Sequence, residues 1–512
     1  MENPAFNQQI KVVVLWGGGL LLAIVAGSYV GSADYKPLLV GALMAVGLSV
    51  WFLTGRFFWV LTIASSFLAG TFPILGGAFT PFQLLMLIGI TKFSIENIII
   101  GRRRLQVGNR MDLLLIAGFM GVLTLHALRD RFGMRFLGSS TWGGHNYVNV
   151  YVGLAAFFVI QSIPMTPRVW AKLPYIILAV TTFDLFIAVI TTIFPSSIYR
   201  IYPFYSAVST LGIEEILTGE SNVTGRIGAF GSFGYILVIL VLASTSLQQI
   251  LNPGNLLRLI CLLGGFVAVL FSGFRSALTN AIIGCVAAGI RDLKFGVLAL
   301  LPLFAITLFG LSLVNSQLVH LPKQIQRALS FVPGDWDPEM ARDATGSNEF
   351  RAKVWNLWAH EYFPARPLLG RGFSFRSDWA KPSVYNRNAI DYQQTVEVQN
   401  LHNGLFAALD TFGLIGTVFF AIWVVRMLGR TVRVSFQRKQ EGGITLRFVA
   451  IYLTVWIIAY WFGAQTVGSF LPLQFALSAV FIRLQEAISS AVSSEPAEIT
   501  RAPDLGRDLA RV

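Results

Sequence analysis

Charge and cysteine are what this sequence has least of. Lys, Arg, Asp and Glu make up only 13% of the 512 residues, while 54% are hydrophobic; an ordinary soluble domain carries roughly 25% charge. Water therefore cannot be the main solvent, which excludes a soluble globular protein. The two cysteines, Cys261 and Cys285, lie inside apolar runs with no neighbouring His or second Cys at ligand spacing. That excludes a disulfide framework and a zinc site. Acidic residues are outnumbered, 26 against 39, leaving a formal charge of +13. In a soluble protein this surplus would suggest nucleic acid as a partner. Here the arginines cluster between apolar runs, as positive loops that orient a membrane protein do, so no nucleic acid is expected.

What is present in quantity is apolar length. Stretches able to cross a hydrocarbon core of ~30 Å begin near Val12, Leu38, Phe57, Pro81, Leu113, Val148, Tyr175, Gly228, Leu256, Phe274, Phe295, Gly404, Phe448 and Ser469, giving about fourteen spans. The run after Lys11 exceeds a signal-peptide core and reads as an uncleaved first helix. Positive clusters fix the orientation, because Lys and Arg in short loops stay on the cytoplasmic side. Lys11, Arg56, Arg102–Arg110, Arg168 with Lys172, Arg291 with Lys294, Arg426–Lys439 and the tail after Arg483 all fall on one parity. Both termini are then cytoplasmic. The segments Arg129–His145, Ser196–Arg226, Gly273–Arg275 and Asn315–Asn403 face outward. The expected fold is all-α, a polytopic membrane helical bundle. Eleven spans occupy residues 1–315, an outer loop with short helices 316–403, three spans 404–486 and a disordered cytoplasmic tail 487–512. No internal repeat or heptad pattern is evident.

The long outer segment exceeds any passive connector. Ser347 or Asn348 would cap a helix through Arg351, Trp355, Trp358 and Tyr362, with Arg351 and both tryptophans on one face. In the interface such a helix is either an aromatic-belt anchor or an aromatic substrate platform. Four cationic or titratable residues from distant parts of the chain reach the outer side: Arg226, Arg275, Arg351 and His402. One arginine would be explained by snorkelling, but a set on the side disfavoured for positive charge suits a membrane-anchored diphosphate. His402 stands just before a helix N-terminus, whose partial positive charge favours a neutral ring. Gly413 falls beneath it on the same helix face, with Gly416 nearby, a smooth strip for helix packing ahead of lipid. His145-Asn146 is the nearest rival histidine. Asp391 and Glu397 form no metal site, and Asp184 and Asp410 read as polar contacts within the bundle.

The pair His402-Asn403, followed after nine residues by Gly413 and then Gly416, resembles the signature of the O-antigen ligase and O-antigen polymerase superfamily of bacterial envelope glycosyltransferases. So do Arg226-Ile227-Gly228-Ala229-Phe230-Gly231 before a span, Arg275-Ser276 opening another, and Arg351 with Trp355 and Pro367-Leu368-Leu369-Gly370-Arg371-Gly372-Phe373. Phe274 departs from the small residue usual before the arginine. The resemblance implies a GT-C-like helical fold and metal-independent transfer of a glycan from an undecaprenyl-diphosphate donor, at the periplasmic face of the inner membrane. It implies no cofactor. The acceptor is a saccharide or a lipid A core, and a chain-length regulator is an expected protein partner. Arg275 and Arg351 would neutralise the diphosphate, and His402 would orient or deprotonate the acceptor hydroxyl. Arg226, Arg371, Asn403, Trp355 and Trp358 are the expected substrate-binding residues. The span count and long loop favour a polymerase over a ligase. A transporter or flippase is the alternative of another class, and would place polar groups near the bilayer midplane.

Overall fold

A computed structural model of the protein describes residue 49 and residues 55–72, 80–98, 109–133, 141–163, 165–206, 226–250, 252–376, 392–436, 443–463 and 467–494. Among these the longer helices are α1 (Phe58–Ser65), α2 (Pro81–Ile98), α3 (Arg110–Arg129), α4 (Gly144–Ser162), α5 (Leu173–Ile193), α6 (Gly228–Ser244), α7 (Leu256–Phe271), α8 (Arg275–Leu293) and α9 (Leu300–Gln317). After them come α10 (Lys323–Leu329), α11 (Pro338–Leu357), α12 (Tyr392–Glu397), α13 (Gly404–Phe436), α14 (Gly443–Phe462) and α15 (Val467–Ser494). The only described strands are two-residue pieces, β1 (Thr141–Trp142) and β2 (Phe375–Arg376), which pair antiparallel and tie the loop before α4 to the long loop after α11.

Seven described helices are long and apolar enough to cross a membrane, and those starting at Gly228 and Arg275 are shorter apolar ones. The expected spans near Val12 and Leu38 lie outside the described residues. The one expected from Phe57 is helical only to Ser65. The chain beyond the helix is tied to Asp184, buried in α5. The Ala69 amide donates to Asp184 Oδ2 at 2.8 Å, and the Tyr205 hydroxyl donates to Oδ1. At the far end α15 continues to Ser494, past residue 486, where the sequence reading ends the last span; the remainder of the tail lies outside the described residues.

The bundle packs α15 against α4, α6 against α5, α7, α8 and α14, and α13 against α3 and α14. Its centre is aromatic: Phe119 of α3 meets Phe412 and Phe420 of α13 and Phe475 of α15 at ring-centroid distances of 5.7, 5.5 and 6.0 Å. Where α6 crosses α7 the backbones themselves touch, since a Cβ on Gly234 would come within 2.5 Å of the Gly265 carbonyl oxygen. Small residues permit this approach, which suits a helix pair that lacks a hydrophobic driving force in lipid. The starts of α4, α6, α8 and α13 and the end of α3 gather at one end of the bundle, and there the long loop is laid down.

Candidate active site

Helix α11 runs across that end. It does not start at Ser347 or Asn348, as the sequence reading expects, but at Pro338, because Asp337 is the cap: its side chain accepts from the amides of Glu339 and Met340, and Pro338 occupies the first turn. Ser347 instead donates back to the Asp343 carbonyl within the helix. At Trp358 the helix widens into a single π turn, Trp358–Tyr362.

One face of α11 meets the site residues in order. Asp343 accepts from Arg226 Nη2 at 3.1 Å and from Arg327 Nε at 2.5 Å. The next residue, Ala344, accepts from Arg275 Nη2 through its carbonyl at 3.1 Å. Two turns on is Arg351. Burial pushes its guanidinium below the ordinary value, and the positive charges of Arg275 and Arg226 push in the same direction. Next, Trp355 donates its indole N–H to the Leu401 carbonyl at 2.6 Å, and Trp358 donates to Asp410 Oδ1 at 2.9 Å. The expected common face of Arg351, Trp355 and Trp358 is therefore present. Trp358, however, is 3% exposed and stacked on Phe406, so it is a packing residue and offers no open platform.

His402 sits beside Arg351, at the mouth of α13. Its backbone is left-handed, φ 51°, and Asn403 caps the helix, accepting from the Phe406 amide at 3.1 Å. The Asn403 side chain, expected on the substrate, is thus engaged as a cap. The His402 ring is half-buried, 6.2 Å from the Phe350 ring, and its Nδ1 has no hydrogen-bond partner among the described residues. Burial depresses the imidazole pKa below its ordinary 6.5, and the charge of Arg351 lowers it further. The neutral ring is therefore favoured, as a proton acceptor requires.

Arg371, also expected on the substrate, is engaged within the protein. Its Nε and Nη2 grip Asp410 Oδ1 and Oδ2 at 2.9 and 2.7 Å, while Nη1 reaches Glu397 at 3.4 Å. This pairing sits on a break in α13. Gly413 has φ 62° and ψ −171°, so it does not form the expected smooth strip beneath His402. The carbonyls of Asp410 and Thr411 accept from the amides of Arg371 and Gly372 at 2.7 and 3.1 Å. The amides of Leu414 and Ile415 donate to Pro367 and Leu368 at 2.8 and 3.1 Å. Two lost helical bonds are thus replaced by four bonds to the loop. Only glycine fits the contact, since a Cβ on Gly413 would stand 2.3 Å from the Leu368 oxygen and one on Gly370 2.5 Å from the Gly413 nitrogen.

Arg327 and Asp343 are the residues that sequence reasoning missed. Arg327 is 4% exposed and also donates to the Gly273 carbonyl at 2.5 Å, so it fixes the turn that leads into Arg275. Beneath Arg226 and Arg275 lies a cavity of about 330 Å³, bounded by Gly228, Ser232, Phe274, Ser276, Asn280 and Tyr452. His145, the rival histidine, is held by Asn149 on α4 at 3.0 Å. Among the described residues, no three of His, Cys, Asp or Glu are grouped so that they could hold a metal ion.

Fold and site define a polytopic helical membrane protein with an arginine and histidine cluster at one end of its bundle. Residues 259–421 match the family described as O-antigen ligase, a stretch that holds Arg275, Arg351, Arg371, His402, Gly413 and Gly416. This supports the resemblance to O-antigen ligases and polymerases. Arg226 lies before the matched stretch. No curated protein matches the chain.

Proposed function

We propose that the protein is a membrane glycosyltransferase that moves a glycan from undecaprenyl diphosphate to a saccharide hydroxyl, at the periplasmic face of a bacterial inner membrane. The bond from the anomeric carbon to the diphosphate oxygen breaks, and a bond from that carbon to the acceptor oxygen forms. The acceptor proton passes to the His402 imidazole, and undecaprenyl diphosphate leaves with the negative charge. Arg275 and Arg351 grip the diphosphate, since guanidinium forks match paired phosphate oxygens. Their charge does the work a divalent cation would otherwise do, so transfer proceeds without a metal. Arg226 assists from its shared place on Asp343. The cavity below Arg226 and Arg275 receives the first isoprene units of the carrier. Joining of lipid-linked repeat units takes precedence over ligation to a lipid A core.

The observation that carries this reading is the half-buried His402 imidazole, its Nδ1 without a partner among the described residues, next to the Arg351, Arg275 and Arg226 group. A burial-disfavoured cation beside like charges is a neutral base waiting for a proton. The test uses purified protein in liposomes with a lipid-linked oligosaccharide, offered a lipid A core and a second lipid-linked glycan as acceptors. Elongated lipid-linked product is expected. Product on lipid A core alone would make the enzyme a ligase, and movement between leaflets without consumption would make it a transporter. His402→Ala should lower transfer ~10²–10⁴-fold while still binding donor. Wild-type transfer by that variant would remove His402 from the mechanism.

A further inference from the structure

The short stretch of α13 between its cap and its break, Gly404–Phe412, is held at both ends by the long loop and not by its own helix. At the top, Trp355 donates to Leu401 and Asn403 caps. At the bottom, helical continuity is interrupted at Gly413, and the segment Pro367–Gly372 supplies the missing bonds. Within the bundle the segment is packed through Ala407, Ala408 and Phe412, and Gly404 lies against the Tyr460 carbonyl. On the loop side it is tied by side chains. Arg371, 13% exposed, spans Asp410 with both ends of its fork, and Asp410, 2% exposed, also takes the Trp358 indole from α11. Asp410 lies within this half-helix, and His402 stands two residues before its first residue, Gly404, on the turn that Asn403 caps.

We propose that Arg371 and Asp410 are positioning residues for His402: by locking α11, the inserted loop and the half-helix Gly404–Phe412 into one unit, they set where the imidazole stands relative to Arg351. The proposal rests on the transfer reading given above. A positioned base loses rate steeply when displaced, about 10²-fold for 1 Å. The guanidinium nitrogens of Arg371 and both oxygens of Asp410 are engaged within the protein, so donor affinity should be left alone.

The test uses full-length protein in nanodiscs, with Asp410→Asn, Arg371→Gln and Arg371→Lys, each checked for monodispersity and unfolding temperature. Asp410→Asn is the mild variant, because it keeps an oxygen for Trp358 and leaves Glu397 to Arg371. Three quantities are measured: kcat for glycan transfer, binding of undecaprenyl diphosphate, and the rate at which diethyl pyrocarbonate modifies His402, with His320 as the internal control. Expected are a kcat lowered roughly 10- to 100-fold in Asp410→Asn and Arg371→Gln, binding within about twofold of wild type, and a changed His402 rate beside an unchanged His320 rate. Arg371→Lys, able to reach one carboxylate oxygen, should recover part of the loss. An unaltered kcat in folded Asp410→Asn would overturn the proposal. So would a parallel loss of undecaprenyl diphosphate binding, which would put Arg371 on the donor. If wild type neither transfers glycan nor binds undecaprenyl diphosphate, the transfer reading fails. The His402 modification rate then decides the positioning claim alone, an unchanged rate refuting it.

Discussion

Five arginines of the site stand at one end of this bundle, and four of them divide by what they hold. Arg327 and Arg371 each donate to a carboxylate through short, largely buried contacts, Asp343 at 2.5 Å and Asp410 at 2.7 Å. Arg275 donates to the Ala344 carbonyl and feels Asp343 only through space, and Arg351 feels Arg275 and Arg226 as neighbours of its own sign. The first pair spends its charge inside the protein; the second directs its charge at whatever enters. A guanidinium in a membrane-side loop is thus uninformative until its carboxylate is found, and Arg226, whose Nη2 lies on Asp343 while its Nε is unpartnered among the described residues, stands between the classes.

The largest effect should come from the paired set, and on stability. Breaking a buried ion pair from one side typically costs ~3–5 kcal/mol, so Arg327→Met should unfold at markedly lower temperature or denaturant, leaving Asp343 with half its cations. Arg275→Lys and Arg351→Lys should melt like wild type but lose roughly 10² in turnover, the order expected when one donor aimed at developing charge is removed. The comparison breaks if the roles invert, with Arg327→Met stable and slow and Arg351→Lys unstable and active. Circular dichroism melts beside single-turnover transfer would show which holds.

The same division marks what was legible in the sequence. Apolar length alone located the helices now seen from Arg110, Leu173, Leu256, Leu300, Gly404 and Gly443, and the 3.6-residue period put Arg351, Trp355 and Trp358 on one face. His402 could be placed before a helix N-terminus because Asn403 and Gly404 are local signals. The Asp337-Pro338 start of α11 is an equally local signal, but Ser347 and Asn348 offer a competing one nearer Arg351. The break at Gly413 was not legible, since the groups that open the helix belong to Pro367–Gly372, some forty residues away in sequence. A glycine in an apolar run reads the same whether it packs a neighbour or admits a loop. Arg327 with Asp343 and Arg371 with Asp410 were likewise hidden, because an ion pair between distant elements exists only after the chain has folded.

The smallest expected effect isolates the charge of Arg351 from its fork. His402 must be neutral to take a proton, so transfer should rise with pH as its imidazolium deprotonates. Burial, first, and then Arg351 lower that pKa, which puts the acid limb of wild-type kcat/KM below 6.5. Arg351→Gln removes a positive neighbour, so imidazolium becomes easier to form and the limb of the residual activity should move upward. It should remain short of 6.5, because burial is the larger cause and persists. Arg351→Lys loses the fork but keeps the charge, and its limb should stay near that of wild type although its turnover is as low. Profiles of kcat/KM against pH for the three proteins separate the two contributions. A limb that moves equally in both variants would mean that Arg351 acts on His402 through packing, and a limb that does not move in Arg351→Gln would mean that another group sets the profile.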